Sequence, residues 1–296
     1  MPAKDDVQKF LELSYSDRQL IVVLEDALIE ATQREEGKAL KAVRKHPEGI
    51  DWMRITEAAA MTLVPFGSLI AEVTREAIRA YGRAKESGIQ VLPIGKTTAK
   101  SVVFPLGHPR DGVVYVGHPA IPNVYYSMAD FHRATFEHKF CEAIELLMGL
   151  GATEVLVEHI AGWAEEFSAN LSVPLGSAET SLAAHGGFKS KESHKLLYKA
   201  SLPGILAPAM PEKSIWLSHE PTWQTIAKGR MQFGLRDFSL DVSYKDDFGV
   251  NAGLKAAVSK TGLDLGGKFE EHQSTVWRLS GKFLPKSAGQ SKRKPA

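Results

Sequence analysis

The chain has 296 residues, of which 44% are hydrophobic and 24% are charged, and its formal net charge is +1. This composition supplies enough apolar material for a sizeable core, and the near balance of charge argues against a whole-surface attraction to nucleic acid. Cys141 is the single cysteine. It excludes an intramolecular disulfide and a zinc site made of several cysteines, and it fits a reducing compartment. We therefore expect a cytoplasmic protein, since the first residues also show no export signal.

The N-terminal region is predicted to be helical. Ser16 followed by Gln19 is a capping-box pattern, and the apolar residues between Leu20 and Ala31 recur at helical spacing. This pattern predicts an amphipathic helix that begins near Ser16 and ends at residue 37 or before the His-Pro pair at 46–47. A second helical stretch is predicted over residues 52–81.

Residues 58–71 form an uncharged run with Pro65 near its centre. A membrane-spanning helix needs about 20 apolar residues, so this run is too short to be one. One interpretation is a buried pair of helices broken at the proline. The alternative is a segment that contacts a membrane or another subunit only after assembly, through Leu63, Phe66 and Leu69.

Short β-branched runs replace the helical pattern between residues 88 and 165. Strands are predicted within residues 89–94, 101–106, 112–117 and 154–160. Ser127 and Asp130 form a capping pattern before a clear helix that ends at the glycines near residue 150. The order strand, helix, strand predicts a small α/β unit in which Val155–Ile160 pairs with Val113–Val116.

The C-terminal part contains an apparent duplication. Residues 167–173 and 238–244 both alternate in polarity, and each is followed by a Gly-Gly pair and a related strand, at 196–201 and 275–280. A strand at 214–218 and a helix at 221–229 are predicted between the two copies.

The stretches within the two copies, 176–187 and 251–267, are predicted to be long, weakly packed strands. Pore-forming proteins exploit strands of this kind. The alternative is an ordinary antiparallel sheet with one face exposed to solvent.

Together these patterns predict an α+β fold. It would comprise a helical region at 1–87, an α/β unit at 88–165, a duplicated antiparallel β-hairpin domain at 166–284 and a basic disordered tail at 285–296. The last eleven residues hold four basic residues and no acidic residue, which is typical of a solubilising terminus.

Histidine, arginine and tyrosine residues cluster on both sides of one predicted strand. Positive and aromatic groups near a helix N-terminus favour an anionic or nucleotide-like ligand. The predicted ligand-binding residues are His108, Arg110, His118, Tyr125, Tyr126, His132 and Arg133.

The alternative use of these histidines is catalysis, as a metal-dependent or histidine-based hydrolase. His132 and His138 lie six positions apart, which places them about 120° apart around a helix and prevents them from facing one metal ion. The Gly-Lys-Thr sequence at 95–97 lacks the first glycine of a phosphate-binding loop. We assign no catalytic residue, metal or cofactor.

Residues 248–283, and more weakly residues 167–201, resemble the β-rich trypsin-co-occurring modules of bacterial conflict systems. The resemblance rests on the segments FGVNAGLKAAVSKTGLDLGGKFEEHQSTVWRLSGKF and FSANLSVPLGSAETSLAAHGGFKSKESHKLLYKAS. It implies a component of a bacterial antiviral defence operon, and it carries over no catalytic residue.

The expected function is that of a non-enzymatic, oligomeric effector or adaptor, triggered by a ligand or partner. Its expected partners are a second copy of the chain, an anionic or nucleotide-like ligand, an operon partner protein and, for a membrane-perturbing effector, the inner-membrane surface. The hydrolase and a structural scaffold protein are the alternatives.

Overall fold

A computed structural model describes residues 4–43, 50–63, 69–163 and 195–285. These residues form helices and two four-stranded sheets, so the mixed α+β fold is confirmed. The chain divides into two compact units. The first comprises Met1–Thr135 and Asp247–His272, and the second comprises Phe136–Asp246 and Gln273–Ala296.

The first unit contains the sheet with strand order β2-β1-β3-β4. Its strands are β1 (Leu20–Leu24), β2 (Leu92–Gly95), β3 (Val114–Gly117) and β4 (Tyr125–Ser127). Strand β2 is parallel to β1, whereas β3 is antiparallel to both of its neighbours, β1 and β4. The carboxyl ends of β1 and β2 and the start of β3 therefore lie at the same edge of the sheet.

Strand β1 is buried on both faces. Leu20, Val22 and Leu24 belong to one apolar cluster, and Ile21 and Val23 belong to the other. This division follows from the period of two along a strand, which sends successive side chains to opposite faces. A run of five buried apolar residues is typical of a strand covered on both sides.

The helices of the first unit precede, connect and follow these strands. They are α1 (Lys4–Glu12), α2 (Tyr15–Arg18), α3 (Asp26–Val43), α4 (Trp52–Leu63), α5 (Leu69–Glu86), α6 (Lys96–Ala99) and, from the C-terminal segment, α9 (Ala252–Thr261). Helices α4 and α5 run antiparallel, because Glu86 contacts Met53 while Arg79 binds Glu57. Ile78, Tyr81 and Val258 pack on the face of β1 that Val22 occupies.

Helix α7 (Phe131–Gly149) spans the boundary between the two units in sequence. Its predicted start is confirmed, since the hydroxyl of Ser127 accepts a hydrogen bond from the backbone N–H of Asp130. Gly151, which has φ +83°, follows its end.

The second unit contains the sheet with strand order β6-β5-β8-β7. Its elements are β5 (Ala152–Ala161), β6 (Lys195–Ser201), a 3₁₀ turn (Trp216–His219), α8 (Pro221–Phe233), β7 (Asp237–Tyr244) and β8 (Thr275–Phe283). All neighbouring strands are antiparallel. Side chains alternate between buried and exposed along β7, as the polarity of its sequence predicts. Trp277 of β8 packs between Phe136 and Phe140 of α7.

The prediction of one helix from Ser16 onward is wrong for residues 20–24, which form β1. Ser14, not Ser16, caps the single turn α2, and the longer helix α3 starts only at Asp26. Short apolar runs satisfy the helical and the buried-strand patterns equally well, so spacing alone does not separate them.

The predicted pairing of Val155–Ile160 with Val113–Val116 is also wrong. Strand β5 pairs with β6 and β8 in the second sheet, and β3 pairs with β1 and β4 in the first. Because residues 20–24 were predicted to be helical, the sequence offered no strand at the position beside β3 that β1 occupies.

Three further strand predictions fail. Residues 101–106 form no strand, and Val103 makes only an isolated bridge to Val124. Residues 251–267 contain helix α9, which the side chain of Asn251 caps by accepting a hydrogen bond from the N–H of Leu254 and which ends at Gly262 with φ +85°. Residues 214–218 lead into the 3₁₀ turn, whose N–H groups are held by Glu142. The β7–β8 pair is confirmed. Residues 167–173 and 176–187 of the other predicted copy lie outside the described residues, so the duplication stays a prediction.

The helices predicted on either side of Pro65 are confirmed as α4 and α5, and both extend beyond the apolar run. Phe66 lies outside the described residues. Leu63 ends α4 and Leu69 begins α5, and the structure does not describe their side chains. None of the helices in the described ranges combines the length and apolar character that a membrane crossing requires.

Candidate functional site

The seven predicted ligand-binding residues do not form one site. His118 and Tyr125 are fully buried. The Nδ1 atom of His118 accepts hydrogen bonds from the backbone N–H groups of Ala120 and Ile121, at 3.1 and 3.0 Å, and the hydroxyl of Tyr125 donates to the carbonyl of Arg18 at 2.8 Å. Both side chains therefore hold the fold of the loops that surround them.

Tyr126 and His132 also pack inside the first unit. The half-buried ring of Tyr126 lies 6.1 Å from the ring of His118. His132 is fully buried, and its Nε2–H donates to the carbonyl of Val250 at 2.5 Å. Burial lowers the pKa of His132, which keeps the ring neutral.

Arg133 lies at the surface and binds two carboxylates. Its Nη2 atom is 2.8 Å from Asp130 and its Nε atom is 3.0 Å from Glu270. The pair with Glu270 connects the start of α7 to the segment that follows α9, and the pair with Asp130 is local to the helix start.

His108 and Arg110 lie together, immediately before β3. The guanidinium of Arg110 donates to Nε2 of His108 and to the carbonyl of Gly266, both at 3.3 Å. Because a guanidinium can only donate, His108 must carry its proton on Nδ1, which then donates to the hydroxyl oxygen of Tyr115 at 2.7 Å. The backbone N–H of Arg110 donates to the same oxygen at 2.8 Å.

The surroundings of His108 favour its neutral form. Burial, followed by the charge of Arg110, lowers the pKa of His108, while Asp130 and Asp264 act in the opposite direction. Burial raises the pKa of Tyr115 to about 12, so its hydroxyl stays protonated near neutral pH.

A second polar group lies at the same edge of the sheet, where β1 and β2 end. We call Glu25, Asp26, Lys96, Thr97 and Asp111 the carboxyl-edge cluster. The ammonium of Lys96 binds Glu25 and lies 3.0 Å from Asp111. In open α/β sheets, ligands bind beyond the carboxyl ends of parallel strands where the connections diverge. In this sheet β2 lies on one side of β1 and β3 lies on the other side, so the end of β1 is such a position.

Gly95 allows the cluster to form. A Cβ atom at this position would lie 1.9 Å from the Oδ1 atom of Asp26, so only glycine lets the carboxylate approach. Asp26 then accepts hydrogen bonds from the backbone N–H of Thr97 at 3.2 Å and from its hydroxyl at 2.6 Å. Burial disfavours the charged form of Lys96, but Glu25 and Asp111 outweigh this effect and raise its pKa.

The sequence pattern did not predict this cluster, although the Gly-Lys-Thr sequence at 95–97 contributes Lys96 and Thr97 to it. The lysine binds two carboxylates, one of them 71 positions away along the chain. Glu25-Asp26 and Lys96-Thr97 each follow directly after an apolar strand, and this position is the sequence signal that indicates the cluster. The signal can be used only if residues 20–24 are recognised as a strand.

The remaining histidine of the hydrolase alternative, His138, accepts a hydrogen bond at Nδ1 from the indole N–H of Trp216, at 2.9 Å. Within the described ranges, no three His, Cys, Asp or Glu side chains are arranged to hold a metal ion. Burial raises the pKa of Cys141, which favours the thiol over the nucleophilic thiolate.

Comparison with known proteins adds no relative. No protein-family model, no curated protein and no solved structure matches this chain. The functional interpretation therefore depends on the geometry of the chain's own residues.

Proposed function

We propose that this chain is a ligand-triggered adaptor or effector that binds an anionic, phosphate-bearing ligand beside Arg110. The supporting observation is the pairing of charges around the start of β3. Asp111 binds Lys96, and Asp130 binds Arg133, whereas the exposed guanidinium of Arg110 forms no ion pair with any side chain that the structure describes. A guanidinium presents parallel N–H groups that match two oxygens of a phosphate or carboxylate.

His108 supplies a second donor for the same ligand. A bound anion offsets the charge of Arg110, which is one cause of the lowered pKa of His108. The ring can then take up a proton and donate to the anion. Anion binding is therefore coupled to proton uptake, and the affinity rises as the pH falls toward the pKa of His108.

The wider role is suggested by the sequence resemblance of residues 248–283, and more weakly of residues 167–201, to modules of bacterial conflict systems. It supports a part in a defence system, in which ligand binding changes the contacts of the chain with an operon partner or with further copies. Association with the inner membrane stays a prediction from the sequence.

The test is isothermal titration calorimetry with inorganic pyrophosphate. We expect saturable binding to the wild type, at least tenfold weaker binding to Arg110→Gln, and unchanged binding to Arg79→Gln. Arg79→Gln is the matched control. It also removes one positive charge, but the arginine that it replaces already binds Glu57. Equal affinities of Arg110→Gln and wild type, or no saturation at millimolar pyrophosphate, would exclude the site.

A second titration at pH 6.0 and pH 7.5 tests the role of His108. The wild type is expected to gain more affinity at pH 6.0 than His108→Gln does. The variant provides the baseline, since the titration of pyrophosphate itself affects both proteins equally.

A further inference from the structure

A cavity of about 200 Å³ lies in the first unit, between helices α3 and α5 and the start of β2. A water molecule occupies about 30 Å³ in the liquid, so the cavity has room for about six waters. It lies below the usual range of drug-sized pockets, about 300–1,000 Å³, and fits a small metabolite. Leu24 and Ile29, which pack in the same apolar cluster as Tyr81, are among the residues that line it.

The polar groups of the cavity come from the two helices. Tyr81 of α5 lines it and is 3% exposed, and no described residue forms a hydrogen bond with its hydroxyl. Burial, followed by the charge of Glu36, raises the pKa of this hydroxyl, so it is available as a neutral donor and acceptor. A ligand in the cavity can therefore use this hydroxyl both as a donor and as an acceptor.

Two opposite charges also line the cavity. Glu36 lies on α3 and Lys85 lies on α5. Neither forms an ion pair with the other or with any side chain that the structure describes. The ammonium of Lys85 lies 5.0 Å from the ring centre of Trp52 and 6.0 Å from that of Tyr81, a contact that leaves it able to bind a carboxylate.

We propose that this cavity binds a small zwitterion of the free amino-acid class with an apolar side chain. The side chain packs against Leu24 and Ile29, the ammonium binds Glu36 and the hydroxyl of Tyr81, and the carboxylate binds Lys85. This site uses none of the residues beside Arg110, so it is independent of the proposed phosphate site.

The first experiment needs only the wild-type protein. Calorimetric titrations compare L-leucine with 3-methylbutylamine, which lacks the carboxylate, and with 4-methylpentanoate, which lacks the ammonium. Leucine is expected to bind saturably, and each single-charge analogue is expected to bind at least tenfold more weakly. Equal binding of all three compounds, or no saturation by leucine at millimolar concentration, would overturn the proposal.

Variants then assign the two charges. Glu36→Gln should abolish the preference for leucine over 4-methylpentanoate, and Lys85→Gln should abolish the preference over 3-methylbutylamine. Glu35→Gln is the matched control, because this neighbouring acid lies on the same helix, binds Lys38 and does not line the cavity. A loss of leucine affinity in Glu35→Gln equal to that in Glu36→Gln would overturn the assignment. Arg110→Gln should bind leucine like the wild type.

Discussion

His132 connects the start of α7 to the segment that contains α9. Its ring donates a hydrogen bond to the carbonyl of Val250 and lies 5.3 Å from the ring of His272 and 6.5 Å from that of Phe269. A charge at this fully buried position loses its hydration, and His272 opposes it further, whereas the carbonyl of Val250 and the charge of Asp247 favour it. Burial is the largest of these effects, so the pKa of His132 is lowered.

This lowered pKa predicts a pH-dependent stability. As the pH falls, His132 of the unfolded chain takes up a proton near the ordinary histidine pKa of about 6.5, whereas in the folded protein it does so only at a lower pH. The contribution of neutral His132 is therefore complete above that pH and is lost as the pH falls below it. Urea unfolding at pH 7.5 and pH 5.5 should show a smaller loss of stability in His132→Gln, whose amide N–H can keep the bond to Val250.

His219→Gln is the control for this measurement. His219 is exposed in the 3₁₀ turn, so its replacement should leave the pH dependence unchanged. Identical pH profiles of His132→Gln and wild type would show that His132 does not titrate differently in the folded and unfolded states.

At the scale of elements, the pairing of β5 with β8 depends on close approach of the two backbones. The register of this pair shifts between Ala152 and Glu154. A Cβ atom on Gly281 of β8 would lie 1.9 Å from the carbonyl oxygen of Glu154. Glycine within a strand is typical of such an irregularity, where a side chain would collide with the neighbouring strand.

Gly281→Ala is therefore expected to destabilise the protein by about 3 kcal/mol or more. The new Cβ atom would clash with the backbone carbonyl of Glu154, which cannot rotate away as a side chain could. Gly37→Ala is the matched control. Gly37 lies in α3, and no atom comes within 4 Å of the position that its Cβ would take, so alanine should stabilise the protein by about 0.5–1 kcal/mol. Thermal unfolding of both variants checks the prediction, and equal melting temperatures would contradict it.

At the scale of the whole molecule, the second sheet ends in β6 and β7 within the described residues. Strand β7 has eight residues, and β6 carries Leu196, which is 54% exposed. Unpaired strand edges with apolar residues favour association with another chain unless something covers them. This agrees with the oligomer expected from the sequence, which stays a prediction.

Multi-angle light scattering tests it directly. The mass should exceed that of a single 32.4 kDa chain at micromolar concentration. Leu196→Lys should lower the mass, whereas Ser201→Lys, at an exposed position of the same strand, should not. A mass of one chain at every concentration would remove the assembly from the proposed role.

The sequence by itself determined the elements whose pattern is long or strongly marked. The alternation at residues 238–244 predicted β7, and the cap at Ser127 and Asp130 predicted α7. Pro65 predicted the break between two helices, which are observed on both sides of the region. In each case the signal is local, because a strand or helix imposes its period on neighbouring residues.

Only the tertiary structure decided what β1 is and which residues meet at its end. The run Leu20–Leu24 fits a helix or a buried strand until its neighbours β2 and β3 are known. The carboxyl-edge cluster depends on that decision, since its residues follow β1, follow β2 and precede β3. Spacing along a chain does not encode which distant strands pair. That pairing is set by burial of both faces of β1, a property of the folded molecule as a whole.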